Sequence, residues 1–240
     1  MKIKSITGVK KVDEISITKS IGAVVIAVDD LSIDQLTTEK ISIYIERANG
    51  SNVYLANKIP LLDFILASSY GSEAVQSDSN YGLIAICELS VGGGIFLAEK
   101  ESIKLAFDGL ESTKVYDIYG IEEPTQTDVV AFFEQKTVAS EEFSKKIDVD
   151  GFDLAIMTTH PTIQDVIYRF ENGKSVKYLP FELQTLSRDI DPIQAIIGEV
   201  VRASVPTRLS LPLLHVDEIE VNKEQGAVIN FVVRNFKNVQ

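Results

Sequence analysis

The chain has 240 residues and only two histidines, His160 and His215, both in its second half. His160 stands before a proline in Thr158-Thr159-His160-Pro161, a turn pattern, and His215 ends the apolar run Leu213-Leu214. Neither belongs to a His-x-His, His-Glu-x-x-His or Cys-x-x-Cys pattern, the spacings that gather several ligands on zinc or iron. The single cysteine, Cys87, follows Leu83-Ile84-Ala85-Ile86 and reads as a buried, inert thiol, with no intramolecular disulfide open to it. Gly92-Gly93-Gly94 lacks the trailing Gly-Lys-Ser/Thr and the βαβ context of a phosphate cradle, so it reads as a flexible loop tip between strands. No Gly-x-Ser-x-Gly elbow presents a nucleophilic serine.

Carboxylates are plentiful. They cluster at Asp29-Asp30, Glu122-Glu123, Glu141-Glu142, Asp148-Val149-Asp150 and Asp217-Glu218-Ile219-Glu220. Oxygen ligands of this kind suit Ca²⁺, and Asp148 and Asp150 with nearby Asp153 make the best set. A structural calcium ion is therefore compatible with the chain, although the pattern does not call for one. A glycosidase needs two carboxylates across its substrate, and neighbours along the chain do not provide that. No catalytic, cofactor-binding or metal residue is assigned. Aromatic content of 8% and the absence of tryptophan argue against a sugar-stacking module.

The elements available to hold such groups are mostly strands. Lys2–Ile6 and Glu14–Thr18 alternate, and Ala23–Val28 is apolar throughout, as in a strand buried on both faces. Ile41–Ile45 alternates into Asn49-Gly50, a hairpin signal because both residues tolerate positive φ. Val53–Leu55 returns, and Pro60 opens a helix over Leu61–Ser68. Gly71–Asn80 reads as an exposed loop. Strands follow at Tyr81–Leu89, Gly94–Ala98, Ile103–Phe107 and Lys114–Tyr119, and Asp128–Phe133 reads as a short helix. In the second half, strands are expected near Phe143–Val149, Phe152–Thr158, Asp165–Phe170, Ser175–Leu179, Arg208–Leu214, Glu218–Val221 and Ala227–Phe236. Helices are expected at Phe181–Ser187 and, from the spacing of Ile193, Ile196, Ile197 and Val200, at Ile193–Ala203.

The second half repeats the first. Ile41–Leu66 and Ile163–Leu186 share an alternating strand, an Asn-Gly turn, a return strand ending near a proline, and a helix. The Asn-Gly pairs lie 123 positions apart, about half the chain. Flanking strands keep the same order: Ile15–Ile17 then Ala23–Ile26, against Ile147–Val149 then Asp153–Ile156. Later, Ser102–Leu105 then Val115–Tyr119 stand against Glu218–Val221 then Ala227–Val233. A repeat this long is a whole domain rather than a solenoid unit. The expected fold is all-β: two tandem antiparallel jelly-roll sandwiches, each with a short helix in a connecting loop. The expected boundaries are 1–122 for the first jelly roll, 123–140 for a linker with a short helix, and 141–240 for the second jelly roll.

Charge narrows the partners. A net charge of −12 repels phosphate backbones, so direct nucleic-acid binding is not expected. Lys2, Lys4, Lys10 and Lys11 make the N-terminus locally basic, which suits an anionic membrane or partner and equally a solvated strand face. No apolar run is long enough to span a bilayer and no basic-then-apolar signal segment opens the chain, so secretion is not expected.

Two tandem jelly rolls without an active-site signature resemble the double jelly-roll major capsid proteins of tailless, membrane-containing icosahedral bacteriophages. The segment Ile41–Ser68 is similar to what that family shows early in its first barrel. The resemblance implies a non-enzymatic virion protein, assembled in the host cytoplasm. It implies a homotrimer whose six barrels make a pseudo-hexameric tile, packed against neighbouring trimers and other capsid proteins. It also implies loops such as Gly71–Asn80 facing outward, and an N-terminus near an internal viral membrane. Neither half carries a long tower-forming insertion, which puts receptor binding in doubt. The alternatives are a minor virion, spike or adhesin-type β-sandwich protein, a two-barrel cupin-like metal-binding protein, and a carbohydrate-binding module.

Overall fold

Along Lys40–Glu46 the isoleucines at 41, 43 and 45 are buried and the residues between them face outward, as a period of two requires of a strand with one wet face. The computed structural model describes residues 1–69, 75–190, 193–196, 199–202 and 207–239. The chain divides into two compact units, Met1–Phe133 with Phe236–Gln240, and Glu134–Asn235.

The first stretch of chain supplies β1 (Lys2–Thr7), β2 (Lys11–Ile17), β3 (Ile21–Val28), β4 (Lys40–Glu46) and β5 (Asn52–Pro60), then helix α1 (Leu61–Ser68). It continues with β6 (Val75–Gln76), β7 (Leu83–Glu88), β8 (Gly94–Ile95), β9 (Ser102–Asp108), β10 (Val115–Glu122) and β11 (Gln126–Thr127). The second stretch supplies β12 (Val129–Val138), β13 (Ser144–Asp148), β14 (Leu154–Thr158), β15 (Ile163–Phe170) and β16 (Ser175–Tyr178), then helix α2 (Pro180–Ile190). It ends with β17 (Ile193–Ile196), β18 (Glu199–Arg202), β19 (Arg208–Pro212), β20 (Val216–Lys223) and β21 (Ile229–Asn238).

Hydrogen bonding sorts these strands into matching pairs of sheets. The orders are β1-β10-β3-β7-β6 and β2-β9-β4-β5 in the first unit, and β12-β21-β14-β19 and β13-β20-β15-β16 in the second, with the start of β12 and the end of β21 grouped in the first unit. With the short β6, β8, β11, β17 and β18 set aside, each unit reads 1-8-3-6 in one sheet and 2-7-4-5 in the other. That order is a jelly roll, and the units share it strand for strand. In each, the helix lies between the fifth and sixth long strands, and every flanking pair matched in the sequence occupies equivalent strands.

The hairpin turns agree in detail. Gly50 N donates to Arg47 O and Arg47 N to Ser51 O, both at 2.8 Å; Gly173 N donates to Phe170 O at 2.8 Å and Phe170 N to Lys174 O at 2.9 Å. Asn49 Oδ1 accepts from Ser51 N at 2.9 Å, and Asn172 Oδ1 from Lys174 N at 3.0 Å. Only the glycines have positive φ, 83° at Gly50 and 77° at Gly173. Each turn is thus a tight turn closed by a glycine bulge, not the two-residue turn in which both residues take positive φ.

Each unit has its own core. Inward residues such as Ile43, Ile45, Ile103, Leu105 and Ile118 fill the first, and Val166, Leu211, Ile219, Val221 and Phe231 the second. Full burial of each such side chain is worth roughly 1.5–3 kcal/mol. β3 is buried along almost its whole length, as its unbroken apolar run predicts. The helices differ. Every residue of α1 is buried, whereas α2 sends Leu183 and Ser187 inward and leaves Phe181, Gln184 and Thr185 exposed. α1 starts on Leu61 N donating to Glu39 O at 2.8 Å, with Pro60 as its cap residue. α2 starts on Pro180, with Leu179 N donating to the Glu182 carboxylate at 2.8 Å.

Two expected helices are strands. Asp128–Phe133 falls largely in β12, because Val-Val-Ala-Phe-Phe is a β-branched and aromatic run that fits a half-buried pleat. In place of a helix over Ile193–Ala203, β17 and β18 pair antiparallel, Ile193 opposite Arg202. Apolar spacing in so short a run does not separate helix from strand, and isoleucine and valine favour the latter. Ile197 and Ala203 lie outside the described residues, as do Gly71–Ala74 of the expected loop; Ser77–Asn80 are exposed.

Candidate functional site

The residues singled out for chemistry are each committed to local structure. His160 Nδ1 accepts from Thr162 N at 3.2 Å and lies 2.9 Å from Thr162 Oγ1, closing the turn after β14. His215 sits between β19 and β20 with φ 62° and lies 3.3 Å from Glu171 Oε2. It is thus a turn residue, not the end of a strand. Cys87 is fully buried, and that burial pushes its thiol up to about 12. Asp148 Oδ1 accepts from Asp150 N at 3.1 Å, while Asp153 pairs with the buried Arg234, whose Nε lies 3.2 Å from Oδ1. Asp153 is thus engaged with Arg234, and Asp148 with the backbone of Asp150. Among the described residues no group of three or more His, Cys, Asp or Glu could hold a metal ion.

Gly93 and Gly94 form a packed crossing, while Gly92 is the exposed tip between strands. Gly94 N donates to Thr125 O at 2.9 Å. A Cβ on Gly93 would lie 2.7 Å from Thr125 O, and one on Gly94 would lie 2.5 Å from Ser20 Oγ. The backbone there is occupied in joining β8 to β11.

Two sets of side chains stand out instead. The first fastens the N-terminal strand. Asp117 on β10 is buried and accepts from Lys2 Nζ at 2.9 Å, from Tyr81 Oη at 2.7 Å and from Ser5 Oγ. Burial alone would raise its carboxyl, but the bonds from Ser5, Tyr81 and Lys2 outweigh it and hold the group at about 2. Lys11 pairs with Asp13, so two of the four N-terminal lysines already have acidic partners. No helix among the described residues is long and apolar enough to cross a membrane.

The second set is a pair of ion clusters on the outer faces of the 2-7-4-5 sheets. Lys104 projects from β9 between core residues Ile103 and Leu105, so it must point away from the core. It pairs with Glu46 of β4 at 3.1 Å and with Glu14 of β2. Beside it Tyr44 and Tyr54 stack across β4 and β5, ring centroids 5.1 Å apart. In the second unit Glu218 and Glu220 project from β20 on either side of core residue Ile219. Arg169 of β15 lies 2.9 Å from Glu218 and also pairs with Glu220, and Lys146 of β13 lies 3.2 Å from Glu218.

Strand register makes these clusters equivalent. Tyr44 faces Lys104 and Glu46 faces Ser102; Ile167 faces Glu220 and Arg169 faces Glu218. Lys104 thus corresponds to Glu220 and Glu46 to Arg169, with each sign reversed. Glu14 and Lys146 add a further charge from the second strand of each unit, but not from equivalent positions, since Ser16 faces Lys104 and Lys146 faces Glu220. The hydrogen bond that Lys104 donates to Glu14 is the main influence raising Lys104, and the bond from Arg169 the main one lowering Glu220. Nothing in the one-dimensional sequence marks these positions, because the correspondence appears only once β4 is registered on β9 and β15 on β20.

No protein-family model matches the chain, and no curated protein matches it. Solved structures do match. The chain is similar to the major capsid protein P2 of bacteriophage PM2, at TM-score 0.58 and 9% identity, over 100% of this chain and 95% of that one. It is similar to the STIV major capsid protein, at TM-score 0.55 and 9% identity, over 98% of this chain and 94% of that one. It is also similar to a chain of the Sulfolobus turreted icosahedral virus structure, at TM-score 0.55 and 8% identity, over 100% of this chain and 90% of that one. The likeness extends along the whole chain and is one of fold: that of the double jelly-roll capsid proteins.

Proposed function

We propose that this chain is a shell-building protein of a virus, a major capsid protein whose copies associate as homotrimers that tile an icosahedral shell. The observation that carries the reading is the duplicated strand order, 1-8-3-6 with 2-7-4-5 in both units, together with full-length similarity to the PM2 and STIV capsid proteins. Duplication supports it physically, since two alike units in one chain offer two near-equivalent sides, and closed rings are built from heterologous contacts between such sides. The role needs large contacts and no chemistry. It invokes no cofactor, and a structural calcium ion is not part of it. Neighbouring trimers and other capsid proteins are the expected partners, the virion is the expected location and the host cytoplasm the place of assembly. Lys4 and Lys10, which have no ion-pair partner among the described residues, are the charges left for an internal membrane.

The test is native mass spectrometry of the purified chain, followed by electron microscopy. Trimers that go on to form sheets or shells are expected. Trimers that associate no further under any condition would point to a minor virion, spike or adhesin component. A chain that stays monomeric at high concentration would refute the proposal.

A further inference from the structure

We infer that the second unit carries a binding site for a small uncharged molecule, apolar along most of its length with one hydroxyl-like end, in the cavity between α2 and the turn from β14 to β15. The site goes beyond the shell reading and does not depend on it. The cavity has a volume of about 250 Å³. Met157 of β14, Ile163 of β15, Leu183 of α2 and Leu209 of β19 line it and are buried, so they make its floor. His160 and Gln184 line it and are exposed, so they stand at its mouth, with Thr159 half-buried beside them. Pro161 and Pro180 lie at the same opening and are also exposed. Their rings fix the backbone there, so the entrance is held open before any ligand arrives.

The helices explain why the second unit has this space. α1 is buried at every position, and its Phe64 packs edge-on against Phe133, ring centroids 4.9 Å apart. α2 buries Leu183 and Ser187 and only partly Leu186, while Phe181 is exposed. Ser187 Oγ is spent on Ser210 N at 2.9 Å. One fully buried leucine on α2 therefore leaves room against β14 and β19. Interiors are otherwise close-packed, and a cavity of about 150 Å³ lined by aliphatic side chains stays dry and takes benzene. By that measure about 250 Å³ holds about ten non-hydrogen atoms. The chemistry of the mouth selects the end group. No Asp, Glu, Lys or Arg lines the cavity among the described residues. His160 Nδ1 accepts from Thr162 N, which leaves the proton of the neutral ring on Nε2 as a donor. A ligand hydroxyl can accept from that donor and donate to the Gln184 side-chain carbonyl. A carboxylate would give up its hydration with no counter-charge in return.

Met157 makes the test direct, because the chain has only one other methionine, Met1. In protein labelled with carbon-13 at the methionine methyls, the Met157 signal reports the cavity floor and the Met1 signal serves as control. Titration with linear butanol, hexanol, octanol and dodecanol should shift the Met157 signal saturably and leave Met1 in place. Affinity should rise roughly fourfold per added methylene as far as octanol, since each buried methylene carries that much transfer free energy. It should gain little more at dodecanol, whose chain outgrows the cavity. Octanoate should bind at least about tenfold more weakly than octanol. Leu209→Phe fills the space and should abolish the Met157 response. Gln184→Ala, at an exposed position, should fold regardless and weaken octanol by roughly threefold or more. A Met157 signal that no alcohol moves would overturn the site, as would unchanged octanol binding in both variants. Affinity that keeps climbing to dodecanol, with Met1 shifting alongside Met157, would show adsorption to apolar surface and overturn it too. Equal binding of octanoate and octanol would overturn the assignment of an uncharged ligand.

Discussion

The two units have one strand order and two different helices. Pro60 is followed by Leu61, fully buried, in an α1 whose every residue is buried. Pro180 is followed by Phe181, 64% exposed, in an α2 with one wet side. A helix that is apolar but for Asp63 and Ser68 is enclosed, while one with polar positions at Gln184 and Thr185 can lie on a surface. Topology was therefore held constant while surface chemistry diverged. The reversed ion clusters show the same thing on the sheets.

The widest predicted gap between the units is at these helix starts. Leu61→Ala should cost about 2–5 kcal/mol, because it opens a cavity in a closed core, and Phe181→Ala should stay within about 0.5 kcal/mol. Urea unfolding of each variant checks this, and equal losses would break the comparison. A smaller effect belongs to the first unit alone. The Asp117 carboxyl is lowered from its ordinary 3.8 to about 2, so the ionised form stabilises the fold. That contribution is complete well above pH 4 and is lost as pH falls through the range from about 4 to 2. Asp117→Asn should remove about 2 kcal/mol at neutral pH and flatten that part of the acid profile. In the wild type, amide exchange in β1 should rise ahead of that in its counterpart β12 over the same window.

The turns should show likeness instead. A Cβ at Gly50 or Gly173 meets nothing within 4 Å, so Gly50→Ala and Gly173→Ala each impose only the strain of positive φ. Each should cost about 1 kcal/mol, and the two costs should agree closely. A large difference between them would show that the turns are not equivalent. The smallest effect is expected at exposed His215, where φ is 62°. His215→Gly should change stability by no more than about 0.5 kcal/mol, since relief of strain offsets the added freedom of the unfolded chain.

Local signals carried most of the fold. Alternation at Ile41, Ile43 and Ile45, the Asn-Gly pairs 123 positions apart, and a proline at the start of each helix are visible without coordinates. The helix at Leu61–Ser68 has the bounds its sequence suggests. The misreadings fell where periodicity is ambiguous: Val129–Phe133 and Ile193–Val200 are apolar runs that fit either period, and only pairing with a neighbouring strand decides between them. The polar surfaces were less legible. Asp117 gathers Lys2, Ser5 and Tyr81 from three segments, with no spacing to betray it. Lys104 and Glu220 correspond only through register, so their opposition could not be read along the chain.

Electron microscopy of the assembled wild-type protein tests the central claim most directly. Class averages should show three-fold tiles, arranged in sheets or closed shells, in which each tile contains two jelly rolls per copy. Isolated single chains at concentrations where shell proteins associate, with no three-fold species in any salt, would contradict it.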